Sequence, residues 1–349
     1  MKNLLRSFGI GFICLMLAPA TDAAIRIVAY NFNNQPNNPA QEAHFRTIFE
    51  AIGNQNVSGI AKRLDILVVV EMDPTSCDTL TTILNNLYNV NTYVNELSSH
   101  YGGDRTGFIY DSSTVQIIGN TVNLTNIGTH PILRAQFHPV NSTAVNERFY
   151  IYAIHLQSGD SNAIINQRTT EAAHLRTNAD TLGQGAQIIY AGDFNLTGET
   201  EGAWTNMLAV GNGQAFDPVN SPGDWRNDPA FIHLHSQNPV NDMDDRFDFQ
   251  LISGGLTDGN GIDYVAGSYR VFGNNGTHTL NSGIATGTGA VPNVLNALAN
   301  TTDHLPVVAD YEIAGTTPAV PTRQQILDQI TQIEEELDEL RDLVEQLPN

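Results

Sequence analysis

Between residues 25 and 313 the chain repeats one arrangement: a short run of β-branched and aromatic residues stops at a polar side chain, and a stretch of helical spacing follows. Ile25 to Tyr30, Leu64 to Val70, Phe149 to Leu156 and Gln187 to Ala191 are the clearest such runs, each with the length and residue types of a strand. Ala40 to Ile52 and Asn166 to Leu182 carry helical spacing, the second as a largely polar helix. Strands alternating with helices define an α/β chain. Because the strand-like runs break off where polar residues begin, those polar residues are expected to gather at one sheet edge. No change of composition divides this span, so one large domain is expected. Residues 198–245 and 273–300 are rich in Gly, Asn and Pro and read as long loops near that edge.

Two appendages flank the domain. Residues 1–24 read as a secretory leader: Lys2 and Arg6 come first, Ile10 to Leu17 form the apolar stretch, and Ala18-Pro19-Ala20 or Thr21-Asp22-Ala23 offers the cleavage site. That stretch falls short of the roughly 20 residues a bilayer helix needs. Bulky Ile13 beside Cys14 argues against lipid anchoring there. A secreted or periplasmic location follows as an expectation. At the other end, residues 314–322 form a Thr/Pro linker to a charged helix over residues 323–349. Its apolar residues Ile326, Ile330, Ile333, Leu337, Leu340, Val344 and Leu347 follow a heptad seam. A homo-oligomer through residues 323–347 is therefore expected.

The formal net charge is −21, and Lys62 is the one lysine beyond the leader. Such a surface repels polyanions at long range, which excludes a nucleic-acid packaging role but not transient contact through a few arginines and bound cations. Once the leader and its Cys14 are removed, Cys77 has no partner for an intramolecular disulfide, and its reading is that of a buried free thiol. Stability must then come from a large core or from bound metal.

The polar residues at the strand ends carry the chemistry. Asn31 follows the first strand, and Glu71 follows the apolar run Ile66-Leu67-Val68-Val69-Val70. A carboxylate at the end of a buried strand is a hard oxygen ligand suited to Mg²⁺. His155 closes the strand Tyr150-Ile151-Tyr152-Ala153-Ile154. In Ala191-Gly192-Asp193-Phe194-Asn195 the glycine permits a sharp turn, and the acid and amide reach one face because strand side chains alternate. Arg246-Phe247-Asp248-Phe249 places one acid between aromatics, and Thr302-Asp303-His304-Leu305-Pro306 sets an acid beside a histidine before a last strand.

In this order the segments resemble the endonuclease/exonuclease/phosphatase superfamily, which includes pancreatic-type deoxyribonucleases, abasic-site endonucleases, bacterial sphingomyelinases and inositol-phosphate phosphatases. The resemblance implies a four-layer α/β/β/α sandwich, here followed by the heptad helix. It also implies roles. Asn31 and Glu71 would hold the catalytic cation, with Asp303 supporting them. Mg²⁺ is the implied ion, and Mn²⁺ or Ca²⁺ are alternatives. Asp193 and Asn195 would orient the attacking water and the scissile phosphate. His304, paired with Asp248, would act as general base or phosphate ligand. His155 would protonate the leaving oxygen or stabilise the pentavalent phosphorus. Tyr93-Val94-Asn95-Glu96 ahead of Arg105-Thr106-Gly107-Phe108 resembles the deoxyribonuclease branch, which makes Glu96 the candidate carboxylate for His155. Arg105 and Arg134 are the candidate substrate contacts. Where that branch has an arginine before a proline, this chain has His130 before Pro131, which weakens the phosphate contact there.

In-line hydrolysis of a phosphodiester builds charge on the non-bridging oxygens, so a cation and aimed hydrogen-bond donors lower the barrier. Two histidine-carboxylate pairs let one imidazole take a proton while the other gives one, and each carboxylate favours the imidazolium of its partner. The expected function is that of a secreted Mg²⁺-dependent phosphodiesterase, foremost an endonuclease with nucleic acid as substrate. A sphingomyelinase-type enzyme acting on membrane lipid is the alternative, with Trp204, Trp225, Phe216 and Phe231 as the aromatics that would enter the bilayer. A binding module without catalysis is the third reading. The run Asp242, Asp244, Asp245 reads as a solvated acidic loop ahead of a second cation site.

Overall fold

The computed structural model describes residues 24–99, 104–124, 128 and 130–314. The leader and the heptad segment thus lie outside the described residues. One sheet runs β14 (Ile262–Tyr264), β16 (Val307–Ile313), β1 (Ala24–Asn31), β4 (Ile66–Met72), β6 (Arg105–Asp111), β5 (Tyr93–Leu97), with β15 (Arg270–Val271) also paired to β16. The other runs β12 (Ala215–Phe216), β13 (Asp248–Ser253), β11 (Ile188–Asp193), β10 (Phe149–His155), β9 (Ile132–Pro139), β7 (Val115–Ile117), with β8 (Val122–Leu124) on β9. A small hairpin joins β2 (Asn56–Val57) to β3 (Ile60–Ala61).

Alternation along the strands divides the interior into three apolar layers. In β1, Ile27 and Ala29 face the second sheet, where Phe137, Ile151, Ala153 and Ala191 meet them. Val28 and Tyr30 face outward, onto helices α1 (Pro39–Gly53), α2 (Pro74–Tyr88) and α5 (Pro292–Ala299). On the far side of the second sheet, Tyr152, Tyr190 and Leu251 pack against α3 (Asn162–Asp180) and α4 (Gly202–Leu208). The result is the α/β/β/α sandwich. Burying a large apolar side chain contributes about 1.5–3 kcal/mol relative to leaving it exposed, so the three layers are the main source of stability.

The helices start where capping chemistry allows. Asn38 accepts from the amides of Ala40 and Gln41 ahead of Pro39, and Phe45, Ile48, Phe49 and Ile52 then form the buried stripe of α1. Helix α2 has no counterpart in the sequence reading. Its signal is Asp73, which caps Thr75 and Ser76, followed by Pro74 and the apolar spacing of Cys77, Leu80 and Leu84. The two segments expected to be long loops contain α4 and α5. Trp204 anchors the former in the core, where tertiary contact supports so short a helix, and a proline at the first turn starts the latter.

Candidate active site

Parallel pairing brings the strand ends together. Asn31 is in register with Val70 of β4, one residue before Glu71. His155 is in register with Asp193, and Asp193 with Asp248 on the other side. Ala29, Ala153 and Ala191, two residues earlier on three of these strands, line the layer between the sheets. By the same alternation Asn31, His155 and Asp193 project into that gap at its open end, with Asp248 in register beside them. Glu71 joins them through a break in regular pairing between Val69 and Met72, where it takes a left-handed φ of 50°.

Gly192 makes this approach work. Its φ is 136°, and a Cβ there would lie 2.1 Å from the Ile154 carbonyl oxygen of the neighbouring strand. Only glycine fits at that point.

Asp193 is the hub. Asn31 Nδ2 donates to Asp193 Oδ2 at 3.0 Å across the gap and to Glu71 Oε1 at 2.9 Å. The Asn195 amide donates to Asp193 Oδ1 at 2.8 Å, while the Asn195 side chain donates to the Leu156 carbonyl at 3.0 Å. His304 Nε2 stands 3.7 Å from Asp193 Oδ2, and its Nδ1 is held by Asp248 Oδ2 at 2.8 Å. Ser236 Oγ donates to that same Asp248 oxygen at 2.6 Å, tightening the pair from a segment the sequence reading did not single out. Asp303 lies nearer the surface, accepting from Asn33 Nδ2 at 3.2 Å.

Burial opposes protonation of His304, but Asp248, then Asp193 and Asp303, outweigh it and lift the imidazole to about 10. His155 goes the other way. Burial, with His130 and His304 beside it, holds it well below the ordinary imidazole value. Burial also pushes Asp193 up against the pull of His304, and pushes Glu71 up against its Asn31 hydrogen bond. Half-buried Glu71 and buried Asp193 share the Asn31 bridge, with His304 as the neighbouring positive charge. Ligand atoms of Glu71, Asp193 and His155 all lie within 4.8 Å of one another, so a divalent cation fits this set in both charge and donor chemistry. The structure groups Glu71 with Asp193 and His155 rather than with Asp303, and gives Asn31 the part of a bridge between the two carboxylates.

Three expected placements are corrected. Glu96 does not orient His155: it accepts from Thr121 Oγ1 at 3.0 Å on the edge strand β5, and His155 instead stacks on His130 with ring centroids 3.9 Å apart. Burial decides its state: even with Glu71 Oε1 at 3.6 Å and Asp193 Oδ2 at 3.9 Å from Nε2, the imidazolium is not favoured, contrary to expectation. Arg134 is drawn under α3, bonding Asn178 Oδ1 at 2.9 Å, because it pairs with Tyr152 well before the strand end. Arg105 lies on β6, and its Nε is buried without a hydrogen-bond partner. Neither arginine lines the hollow over Asp193.

That hollow encloses about 450 Å³ and includes Glu71, Asp193, Asn195, Asp303 and His304. Arg226, unforeseen in the sequence, is the one arginine among the described residues that line it, bridged by Nε to Asp245 at 3.1 Å and by Nη1 to Asp160 at 3.5 Å. A residue inside a Gly/Asn-rich stretch gives no local signal of such a position. Asp245 is thereby an ion-pair partner, in place of the solvated acid expected.

No family model matches the chain, and no curated protein matches it. Solved structures do. The human Nocturnin catalytic domain with a bound sulfate anion shares 16% identity over 83% of this chain and 94% of that one, with a TM-score of 0.53. D. rerio TDP2, complexed with a single-strand DNA product, shares 15% over 83% and 99%, with a TM-score of 0.54. The fold is that of the endonuclease/exonuclease/phosphatase superfamily. An endonuclease/exonuclease/phosphatase protein from Bacteroides vulgatus aligns equally well, at 13% identity over 83% and 99% and a TM-score of 0.54. In this chain Asp193 and its neighbours converge at one open end of the sandwich.

Proposed function

We propose that the protein is a secreted, divalent-metal-dependent phosphodiesterase, and that its substrate is nucleic acid, cut as an endonuclease. The observation that carries this is the meeting, at Asp193, of a charged His304–Asp248 pair with the Glu71/Asp193/His155 cluster. One side of the hollow offers a protonated donor and the other a cation site. A scissile phosphodiester between them has its developing negative charge met from both sides.

Glu71, Asp193 and His155 would hold the cation, Mg²⁺ by the hardness of the carboxylate donors, and when bound it supplies positive charge to the non-bridging oxygens. The chain's own groups do the rest. His304, fixed by Asp248 and Ser236, donates from Nε2 to a phosphoryl oxygen, which favours the phosphate-ligand role over that of a base at neutral pH. Asp193 would orient the attacking water by accepting its hydrogen bond beside the cation. Asn31 and Asn195 hold the Asp193 carboxylate in place. His155, kept neutral, acts as a ligand or acceptor rather than as the acid for the leaving oxygen.

Nucleic acid is favoured over lipid because two of the aromatics that would enter a bilayer are packed away. Trp204 and Trp225 lie in the core with ring centroids 4.9 Å apart, and Phe231 is partly buried, leaving Phe216 exposed on the short strand β12. The TDP2 neighbour bound to a DNA product supports the same reading. The deciding experiment offers supercoiled plasmid DNA, RNA, sphingomyelin and inositol phosphates, each with Mg²⁺ and with chelator. Nicking of the closed circle only with Mg²⁺ is expected. Turnover of sphingomyelin with inert nucleic acids would transfer the assignment to the lipid class, and inertness toward all four would remove catalysis.

A further inference from the structure

Arg226 stands in the active-site hollow with Asp193, Asn195 and His304. Its main chain is pinned on both sides: the Trp225 amide donates to the Thr197 carbonyl at 2.8 Å, and the Asn227 amide to the Asp244 carbonyl at 2.7 Å. The Trp225 side chain beside it is fully buried. Thr197 is two residues beyond Asn195, and Asp244 is four residues ahead of Asp248. Both anchors are thus short extensions of segments that carry the active site, and the arginine is placed relative to its chemistry.

The side chain is held at one edge and loosely engaged at the other. Nε donates to Asp245 at 3.1 Å, and that carboxylate is 12% exposed. Nη1 reaches Asp160 only at 3.5 Å, the limit of a hydrogen bond, and Asp160 is 76% exposed. Neither contact engages Nη2. Asp245 therefore sets the plane of the guanidinium, while Asp160 is a weak, exchangeable partner of the kind exposed ion pairs provide. Asp160 lies on the turn after β10 whose Gln157 and Gly159 carbonyls accept from Arg168, so the turn is fixed and the carboxylate is free to swing away.

The charge of the hollow gives this arrangement a use. Glu71, Asp160, Asp193, Asp245 and Asp303 line it, against Arg226 and His304. A nucleic-acid strand brings several phosphates, and the cation site and His304 meet only the scissile one. We propose that Arg226 binds the phosphate next to the scissile one, and that Asp160 occupies the guanidinium in the free enzyme and is displaced by that phosphate. This rests on the nuclease reading above. A phosphate accepts from Nη1 and Nη2 together, the edge that a guanidinium already engaged at Nε still offers. Arg226 thereby favours a strand over a single phosphodiester, and Asp160 lowers affinity for every strand because it competes for the same edge.

The test follows Mg²⁺-dependent cleavage by the full chain lacking only its leader. One substrate is a short oligonucleotide, DNA or RNA as the wild type cuts it; the other is bis(p-nitrophenyl) phosphate, a single phosphodiester with no neighbouring phosphate. In Arg226→Gln, KM for the oligonucleotide should rise about tenfold or more and by more than any fall in kcat, and kcat/KM should drop further for the oligonucleotide than for the small diester. The slope of log(kcat/KM) against log salt should become shallower by about one. Asp160→Asn should move the other way, lowering KM for the oligonucleotide about threefold. An unchanged KM in Arg226→Gln, equal losses on the two substrates, or a KM in Asp160→Asn at or above that of the wild type overturns the inference, while oligonucleotide cleavage by the wild type keeps the nuclease reading. Wild-type turnover of the small diester without cleavage of DNA or RNA removes that reading and this inference together.

Discussion

At Asp193 four neighbours compete for one carboxylate: Asn31 from the opposite sheet, the Asn195 amide, His304 at 3.7 Å and His155 at 3.9 Å. Removing one imidazole should therefore cost chemistry. His304→Ala is expected to lower kcat on the best substrate by about a hundredfold or more while the chain still folds, as acid-base or oxyanion contacts do. His155→Ala should do the same, and near-normal turnover in either would withdraw that residue's role. The His304–Asp248 pair also links stability to pH. Its folded value near 10 lies above the ordinary imidazole value. The stabilisation is thus fully present below about pH 6.5 and is lost as pH rises through about 10. The melting temperature of the wild type should fall over that window more steeply than that of His304→Gln; parallel curves would contradict the assignment. Gly192→Ala puts a Cβ 2.1 Å from a carbonyl oxygen at a positive φ, so denaturant unfolding should show a loss of several kcal/mol, about 3 or more.

Helix α3 shows how an element can be read correctly and still mislead. Its sequence reads as largely polar, yet Arg168, Glu171 and Arg176 are buried. Arg168 pairs with Glu201 at 2.8 Å and also donates to the carbonyls of Gln157 and Gly159, while Arg176 donates to the carbonyls of Asn206, Met207 and Ala209. These contacts fasten the loops on both sides of the active site to one helix. Periodicity counts arginine as polar and cannot tell a solvated guanidinium from one that caps carbonyls in the interior. Glu201→Ala would strand the buried Arg168 charge, with an expected loss of about 3–5 kcal/mol measured by urea unfolding. A loss under about 1 kcal/mol would mean the carbonyls alone satisfy Arg168. By contrast α1 was plain in the sequence, because its buried stripe is apolar and its cap is local.

For the whole molecule, the heptad segment is the part whose effect is most open to measurement. If Ile330, Leu337 and Val344 form a seam with Ile326, Ile333, Leu340 and Leu347, the chain lacking its leader should be oligomeric in physiological salt. A version ending at Ala314 should then be monomeric. Light scattering gives both masses, and equal monomeric values would rule the oligomer out at the concentration tested.

The α/β class, the strand ends that carry Asn31, Glu71, His155 and Asp193, and the acid-histidine step before the last strand were all legible in the sequence. They depend on local alternation and on where an apolar run stops. Which of those ends touch was decided by tertiary structure alone. Asn31 meets Asp193 across 162 residues because two sheets stack with a particular register, and no local pattern encodes that offset. The same stacking left Glu96 with Thr121, drew Arg134 under α3 and brought Arg226 into the hollow. Side chains on a strand have only two faces to choose from, so sequence can name the face, but the partner across the gap is fixed by how whole sheets pack.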